Sequence, residues 1–427
     1  MRQRLIAILL PLLLLLSAMP DTMAAPVLKE LFVDRYGVGP RAAQLFMAVN
    51  LVGALAAVPL LVWARRRASA VTLLVVGSVA DAVLLGVLAM PVGFASSLVL
   101  RAAEGVTDVV VFAALFDLVR RRSGAHAARG LGYASTPLLL GLGVGAVVGG
   151  QAAQRVIPDR AGGLDGITNA GADVAMAVFG VSALACILVA LGAFVARRQL
   201  LQVAQVEPEA SPLAPSGESH AAAVAHGVFD DRPRPLWWAC AMAFADRATG
   251  GLITGTLPLA LAEFLGYSKQ QRGWLIGLPL LLMALGTGPS GALCDRVGSL
   301  RVRLIAGVFY ALAFAAIPFA AGTQWMLAAA MFAVGISGAA LFSSSLAVAA
   351  ESGGAAVAIG GLRAAGDLGF FAGTALSVLA LQSLGREPRY EDYTAIISGF
   401  GALHLLTTGL LAALALTAAR RAGRTAP

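Results

Sequence analysis

Along most of this chain apolar residues do not alternate with polar ones. Leu, Ala, Val and Gly fill stretches of about twenty residues between short polar loops. A bilayer core about 30 Å thick is crossed by roughly 20 apolar residues in a helix. That measure predicts twelve spans in all. The first six are Leu5–Leu28, Ala42–Ala64, Val71–Met90, Ala95–Val119, Gly130–Gln154 and Asp173–Val195. The second six are Pro235–Leu265, Trp274–Leu293, Leu304–Ala321, Trp325–Ala349, Ala355–Leu381 and Thr394–Ala418. The runs lack the period-two pattern of membrane β-strands, so the expected class is an all-α polytopic membrane protein.

Charge sets the orientation. Arg2, Arg4, Arg65–Arg67, Arg120–Arg122, Arg129, Arg197, Arg198, Arg296, Arg301, Arg303, Arg420, Arg421 and Arg424 fall on one side of the predicted membrane. The opposite loops, such as Lys29–Arg41 and Arg386–Asp392, are mixed, and Pro91–Gly93 carries no charge. The positive-inside rule then places both termini in the cytoplasm. The Ala- and Arg-rich character points to a bacterial plasma (inner) membrane. All five tryptophans, Trp63, Trp237, Trp238, Trp274 and Trp325, fall at expected span ends, as an interfacial belt requires. A second reading of Met1–Ala25 is a cleavable leader, since basic residues, a leucine run and small residues follow in that order. Asp21 and the prolines Pro11, Pro20 and Pro26 favour a broken functional helix instead.

Composition agrees with the pattern. Of 427 residues, 59% are hydrophobic and 13% charged, against about 25% charged in soluble domains. The net charge of +8 sits in short clusters between apolar runs, which argues against nucleic-acid binding. Cys186, Cys240 and Cys294 have no metal-ligand spacing and read as small core residues.

The long polar stretch from Arg197 is rich in Pro, Ser and Glu and reads as a flexible linker. The expected organisation is a six-helix bundle in 1–196, a cytoplasmic linker in 197–234 and a second six-helix bundle in 235–427. Sliding the chain on itself by 230 residues sets Pro59 on Pro289, Gly105 on Gly335, Gly130 on Gly360 and Gly143 on Gly373. Twelve transmembrane helices in two six-helix pseudo-repeats are therefore expected, an architecture of secondary transporters that bind substrate between the halves.

These features resemble the major facilitator superfamily. The most specific match is Gly291-Ala-Leu-Cys-Asp295-Arg296-Val-Gly298-Ser-Leu-Arg301, similar to the family's Gly-x-Leu-Ala-Asp-Arg-x-Gly-Arg loop. The resemblance implies that its acid and arginines pair across helix ends and latch one access state. The matching first-half loop departs from the pattern, with Leu61 and Arg65 where the glycine and the acid would stand. In span four, Arg101-Ala-Ala-Glu104-Gly105 resembles an Arg-x-x-x-Gly element tied to proton coupling in drug:proton antiporters. In span five, Gly141, Gly145, Gly149 and Gly150 have the spacing of those antiporters' glycine motif, with Ala146 replacing its proline. The same spacing is also that of ordinary close helix packing.

Ionisable residues inside a bilayer cost about 2.5–3.5 kcal/mol each on insertion scales, so their presence calls for a role. Asp21, Asp81, Arg101, Glu104, Asp108, Asp246, Arg247, Arg363 and Asp367 all fall within spans, six acids against three arginines. Arg101, Glu104 and Asp108 share one stripe of span four, and Arg363 and Asp367 are one turn apart. Asp117 is expected to pair with a basic loop. Arg101 is expected to pair with Asp81 or Glu104, and Asn50 is a candidate cavity residue. Acids left without arginines either carry protons, because removal from water disfavours their charge, or face water and a cationic ligand. The alternative is that they are satisfied helix–helix pairs.

The expected function is a secondary active transporter working by alternating access, exporting a small hydrophobic or cationic molecule in exchange for protons. An importer of a small anionic metabolite bound by arginines, and a scaffold that kept the fold without the cycle, are the other readings. Neither a catalytic motif nor a nucleotide-cradling loop is present, so no enzyme, cofactor or metal is expected. The expected partners are a small-molecule substrate, protons and the lipid bilayer, with the protein a monomer.

Overall fold

The computed structural model describes residues 2–123, 127–157, 167–205, 236–351 and 355–425. The expected linker beyond residue 205 and the side chains of Arg2, Arg4, Arg129, Arg363, Arg420, Arg421 and Arg424 lie outside the described residues. Fifteen α-helices occur among those described, and no strand. The first eight are α1 (Arg2–Ala18), α2 (Pro20–Met23), α3 (Pro40–Arg65), α4 (Ala70–Ala89), α5 (Phe94–Ser123), α6 (Ala127–Val156), α7 (Ile167–Val195) and α8 (Arg197–Gln205). The others are α9 (Leu236–Gly255), α10 (Leu257–Glu263), α11 (Lys269–Val297), α12 (Ser299–Ala320), α13 (Gln324–Glu351), α14 (Ala355–Ser383) and α15 (Tyr390–Thr425).

Ten stretches are long and apolar enough to cross a membrane, and the chain is an integral multi-pass membrane protein. The expected fourth and seventh spans are not among the ten. Both are helical, but α5 carries Arg101, Glu104, Asp108 and Asp117 along its length, and α9 stops at Gly255. The seventh span is broken rather than continuous. Pro258 has no N–H to give the carbonyl of Thr254, so the helix restarts as α10.

The first span is broken as well. α1 ends before Pro20, and a short 3-10 turn (Ala25–Val27) and a π-helical stretch (Lys29–Asp34) follow α2. This segment is core, with Leu10, Leu13 and Leu14 buried against α6 and α7 neighbours such as Leu138 and Val189. Helix starts are locally encoded. Ser69 accepts a hydrogen bond from the Thr72 N–H at the start of α4, and Ser268 and Gln271 form a reciprocal capping box at the start of α11. Gly298 separates α11 from α12 with φ +96°, a conformation side-chain-bearing residues rarely adopt.

The expected linker begins with a helix instead of coil. In α8, Leu200 is buried under Arg197 and Arg198, which point outward, so the segment is amphipathic and packs on the ends of α4 and α5. Elsewhere α3 packs on α5, α4 on α5 and α7, and α6 on α1 and α2. In the second part α11 packs on α13, α12 on α13 and α15, and α14 on α9. The two sets meet along α6–α11 and α3–α14.

Candidate functional site

The stripe on α5 becomes the floor of a buried polar cluster. Arg101 pairs with Glu104, one turn away, and its guanidinium lies 5.2 Å from the Phe46 ring centre. Asp81 on α4 does not pair with Arg101. It accepts hydrogen bonds from the Thr107 hydroxyl (2.5 Å) and the Cys186 thiol (3.4 Å). Asp108 accepts from Asn50 Nδ2 of α3 at 3.3 Å. Asp21 is carried in by α2, the helix that the break at Pro20 turns toward the cluster.

One carboxyl oxygen each from Asp21, Glu104 and Asp108 lie within 4.8 Å of one another. Glu104 is fully buried, and Glu104 Oε1 and Asp21 Oδ1 have no hydrogen-bond partner. Four carboxyl groups thus gather near one guanidinium, with Asp81, Glu104 and Asp108 buried and Asp21 half-buried. Carboxylates held this close repel one another when ionised, so a proton or another cation beside them lowers the energy of the cluster. These three carboxyls are also the one trio of acids, among the described residues, near enough to share an ion; Arg101 already supplies a cation beside Glu104.

The second half is organised differently. Asp246 on α9 does not lack a partner, contrary to the count of acids against arginines. Arg303 of α12 donates to both its oxygens at 2.6 and 2.7 Å, and His404 Nε2 lies 2.9 Å from Oδ1. Arg303 is 2% exposed, not a loop cation, because α12 begins at Ser299 and carries it one turn into the bundle. The Tyr310 ring lies tilted against that of His404, centres 5.0 Å apart, and its hydroxyl shares a 2.7 Å hydrogen bond with Thr249. Arg247 packs its stem beside Gly366 of α14, Asp367 is half-buried on that helix, and Arg363 lies outside the described side chains.

Polar ties between the two helix sets gather at the end opposite the arginine-rich loops. Glu30 pairs with Arg272, which is 2% exposed; Lys269 Nζ donates to the Ile157 carbonyl at 3.3 Å; and Arg41 donates to the Arg386 carbonyl. Deeper in, the Gln44 amide oxygen accepts from Ser377 at 3.3 Å and lies 3.5 Å from the Thr256 hydroxyl at the α9–α10 break. Sequence spacing gave no hint of these ties, because each joins residues more than a hundred positions apart.

The glycines of span five are contact points. A Cβ on Gly141, Gly145 or Gly149 would come within 2.2 Å of the carbonyls of Leu15, Met19 and Met23, so only glycine permits this approach of α6 to α1 and α2. Gly150 faces the other way, onto Lys269 and Gly273 of α11. In the Gly291–Arg301 loop, Gly298 supplies the turn, while Asp295 and Arg296 are exposed and make no ion pair among the described residues.

Residues 236–427 match the model of the Major Facilitator Superfamily. No curated protein sequence matches the chain. The fold is similar over nearly the whole length to solved transporters. A bacterial homologue of the human lysosomal transporter Spinster, in an inward-facing and unoccupied conformation, aligns with TM-score 0.68 and 14% identity, covering 98% of this chain and 97% of its own. Tetrameric PepTSo2 gives 0.67 and 12%, covering 97% and 98%, and the nucleoside transporter NupG gives 0.68 and 10%, covering 94% and 98%. The second half of the chain thus matches the Major Facilitator Superfamily model, and the fold across both halves is similar to that of solved transporters rather than enzymes.

Proposed function

We propose that the protein is a secondary active transporter of the bacterial inner membrane, coupling proton entry to export of a small hydrophobic or cationic molecule by alternating access. The carrying observation is the Asp21–Asp81–Glu104–Asp108 cluster around Arg101, with half-buried Asp21 and Asn50 at its edge. An acid-rich cluster that must gain a cation to become neutral can exchange a proton for a cationic substrate as its surroundings change. The protein acts as a monomer in this reading, with both termini in the cytoplasm.

Twelve spans in two units, 1–196 and 235–427, fit the packing. The ladder of Gly141 and Gly145 on Leu15 and Met19 recurs as Gly369 and Gly373 on Phe244 and Ala248, bringing α14 onto α9 as α6 meets α1. The remaining pairings also recur in the same order, α3–α5 as α11–α13 and α4–α7 as α12–α15. In this reading α5 and α9–α10 cross the membrane too, their charges facing the bundle interior.

Gradient-driven flux of a fluorescent lipophilic cation into everted vesicles tests the function. Accumulation that follows an imposed pH gradient is expected; flux indifferent to that gradient for every cation tried would reject proton coupling. The far-end seal gives a second expectation. Gln44 is fully buried behind the Glu30–Arg272 pair. A Gln44→Cys protein should resist a membrane-impermeant thiol reagent added outside, and adding Glu30→Gln should raise its labelling several-fold by loosening the seal. Unchanged labelling would show that the pair does not hold that end shut.

A further inference from the structure

We propose that a pocket at the arginine-rich end binds the phosphate group of a lipid headgroup in the adjoining leaflet. The cavity, about 270 Å³, lies where the ends of α3, α5 and α8 meet the start of α4. Its charge is unbalanced. Asp117 is shared by three guanidiniums, Arg65 at 3.6 Å, Arg120 at 2.9 Å and Arg121 at 3.0 Å, which leaves a surplus of two positive charges. Arg121 is further held by the Ala204 carbonyl at 2.8 Å, so its position does not depend on Asp117 alone. Asp117 is buried while the arginines remain accessible, so the surplus is presented outward. The α4 start adds the positive end of a 20-residue helix at the same wall.

The level of the pocket favours a lipid over a soluble anion. Trp63, two residues before Arg65, is exposed under the Arg67 guanidinium at 4.3 Å, the arrangement of an interfacial aromatic. The amphipathic α8 contributes Ala204 to the pocket and carries Arg197 and Arg198 outward, as a helix lying in the headgroup plane does. Arginine forks match phosphate oxygens in paired hydrogen bonds. A phosphodiester entering from the side would therefore take up the charge that Asp117 leaves uncompensated.

The test uses the full chain in nanodiscs of phosphatidylcholine with and without phosphatidylglycerol, read by native mass spectrometry of retained lipid. Preferential retention of phosphatidylglycerol is expected, falling about fivefold for Arg65→Gln and again for Arg121→Gln. Arg155→Gln, exposed at the opposite end of the molecule where α6 finishes, serves as the control and should leave retention unchanged. Arg65 is the most exposed of the three arginines and Asp117 keeps two partners without it, so that variant retains its fold. Equal retention by wild type and both pocket variants, or no preference between the lipids, would overturn the proposal. A rise in thermal stability with inorganic phosphate in detergent that matches the phosphatidylglycerol effect, and that the same substitutions abolish, would overturn the lipid assignment in favour of a soluble phosphate.

Discussion

Asp108→Asn is expected to reduce gradient-driven flux to background while leaving the protein folded in the membrane. Asparagine keeps the size of the side chain and still accepts from Asn50 Nδ2, 3.3 Å away in the wild type. What it removes is a site for a proton beside Asp21 and Glu104. The Arg101–Glu104 pair, on the same helix, is untouched. Reconstituted wild type and variant compared under an imposed pH gradient, with thermal unfolding measured in parallel, separate loss of coupling from loss of fold. Wild-type flux from the variant would remove Asp108 from the proton path.

Arg303→Met should have the opposite profile, a large fall in stability. It leaves Asp246 inside the bundle with His404 as its remaining hydrogen-bond partner, and removing one partner of a buried pair costs about 3–5 kcal/mol. The combined Arg303→Met and Asp246→Leu protein should recover most of that loss, because two apolar side chains fill the place of a satisfied ion pair at little cost. Thermal unfolding of the three proteins in one detergent checks the ordering. If the double variant is no more stable than Arg303→Met alone, the destabilisation does not come from the stranded carboxylate.

The contrast between these two acids marks how far the residues can be read without coordinates. Asp108 was legible because Arg101 and Glu104 stand on its own helix at spacings that put all three on one stripe, although its hydrogen-bond donor, Asn50, lies on α3. Asp246 was misread because its partner, Arg303, stands among loop arginines in the chain, and a helix boundary displaced by five residues hid it. The polytopic helical class and the glycine ladder of span five followed from local pattern alone. Glu30–Arg272, Cys186 on Asp81 and the Gln44–Ser377 tie did not, since they are distant in the chain and joined only by packing. The breaks at Pro20 and Pro258 lie between: proline announces them, but not where the restarted helix points.

At the glycine ladders a backbone carbonyl of one helix rests almost on the α-carbon of the next. Sliding by a single residue would drive that oxygen into a side chain, so α1 with α6, and α9 with α14, behave as two stiff slabs. In the proposed transport cycle a rearrangement cannot be absorbed by shear within either slab. It is delivered to the seams between them, α6 against α11 and α3 against α14, which must act as the bearings of the machine.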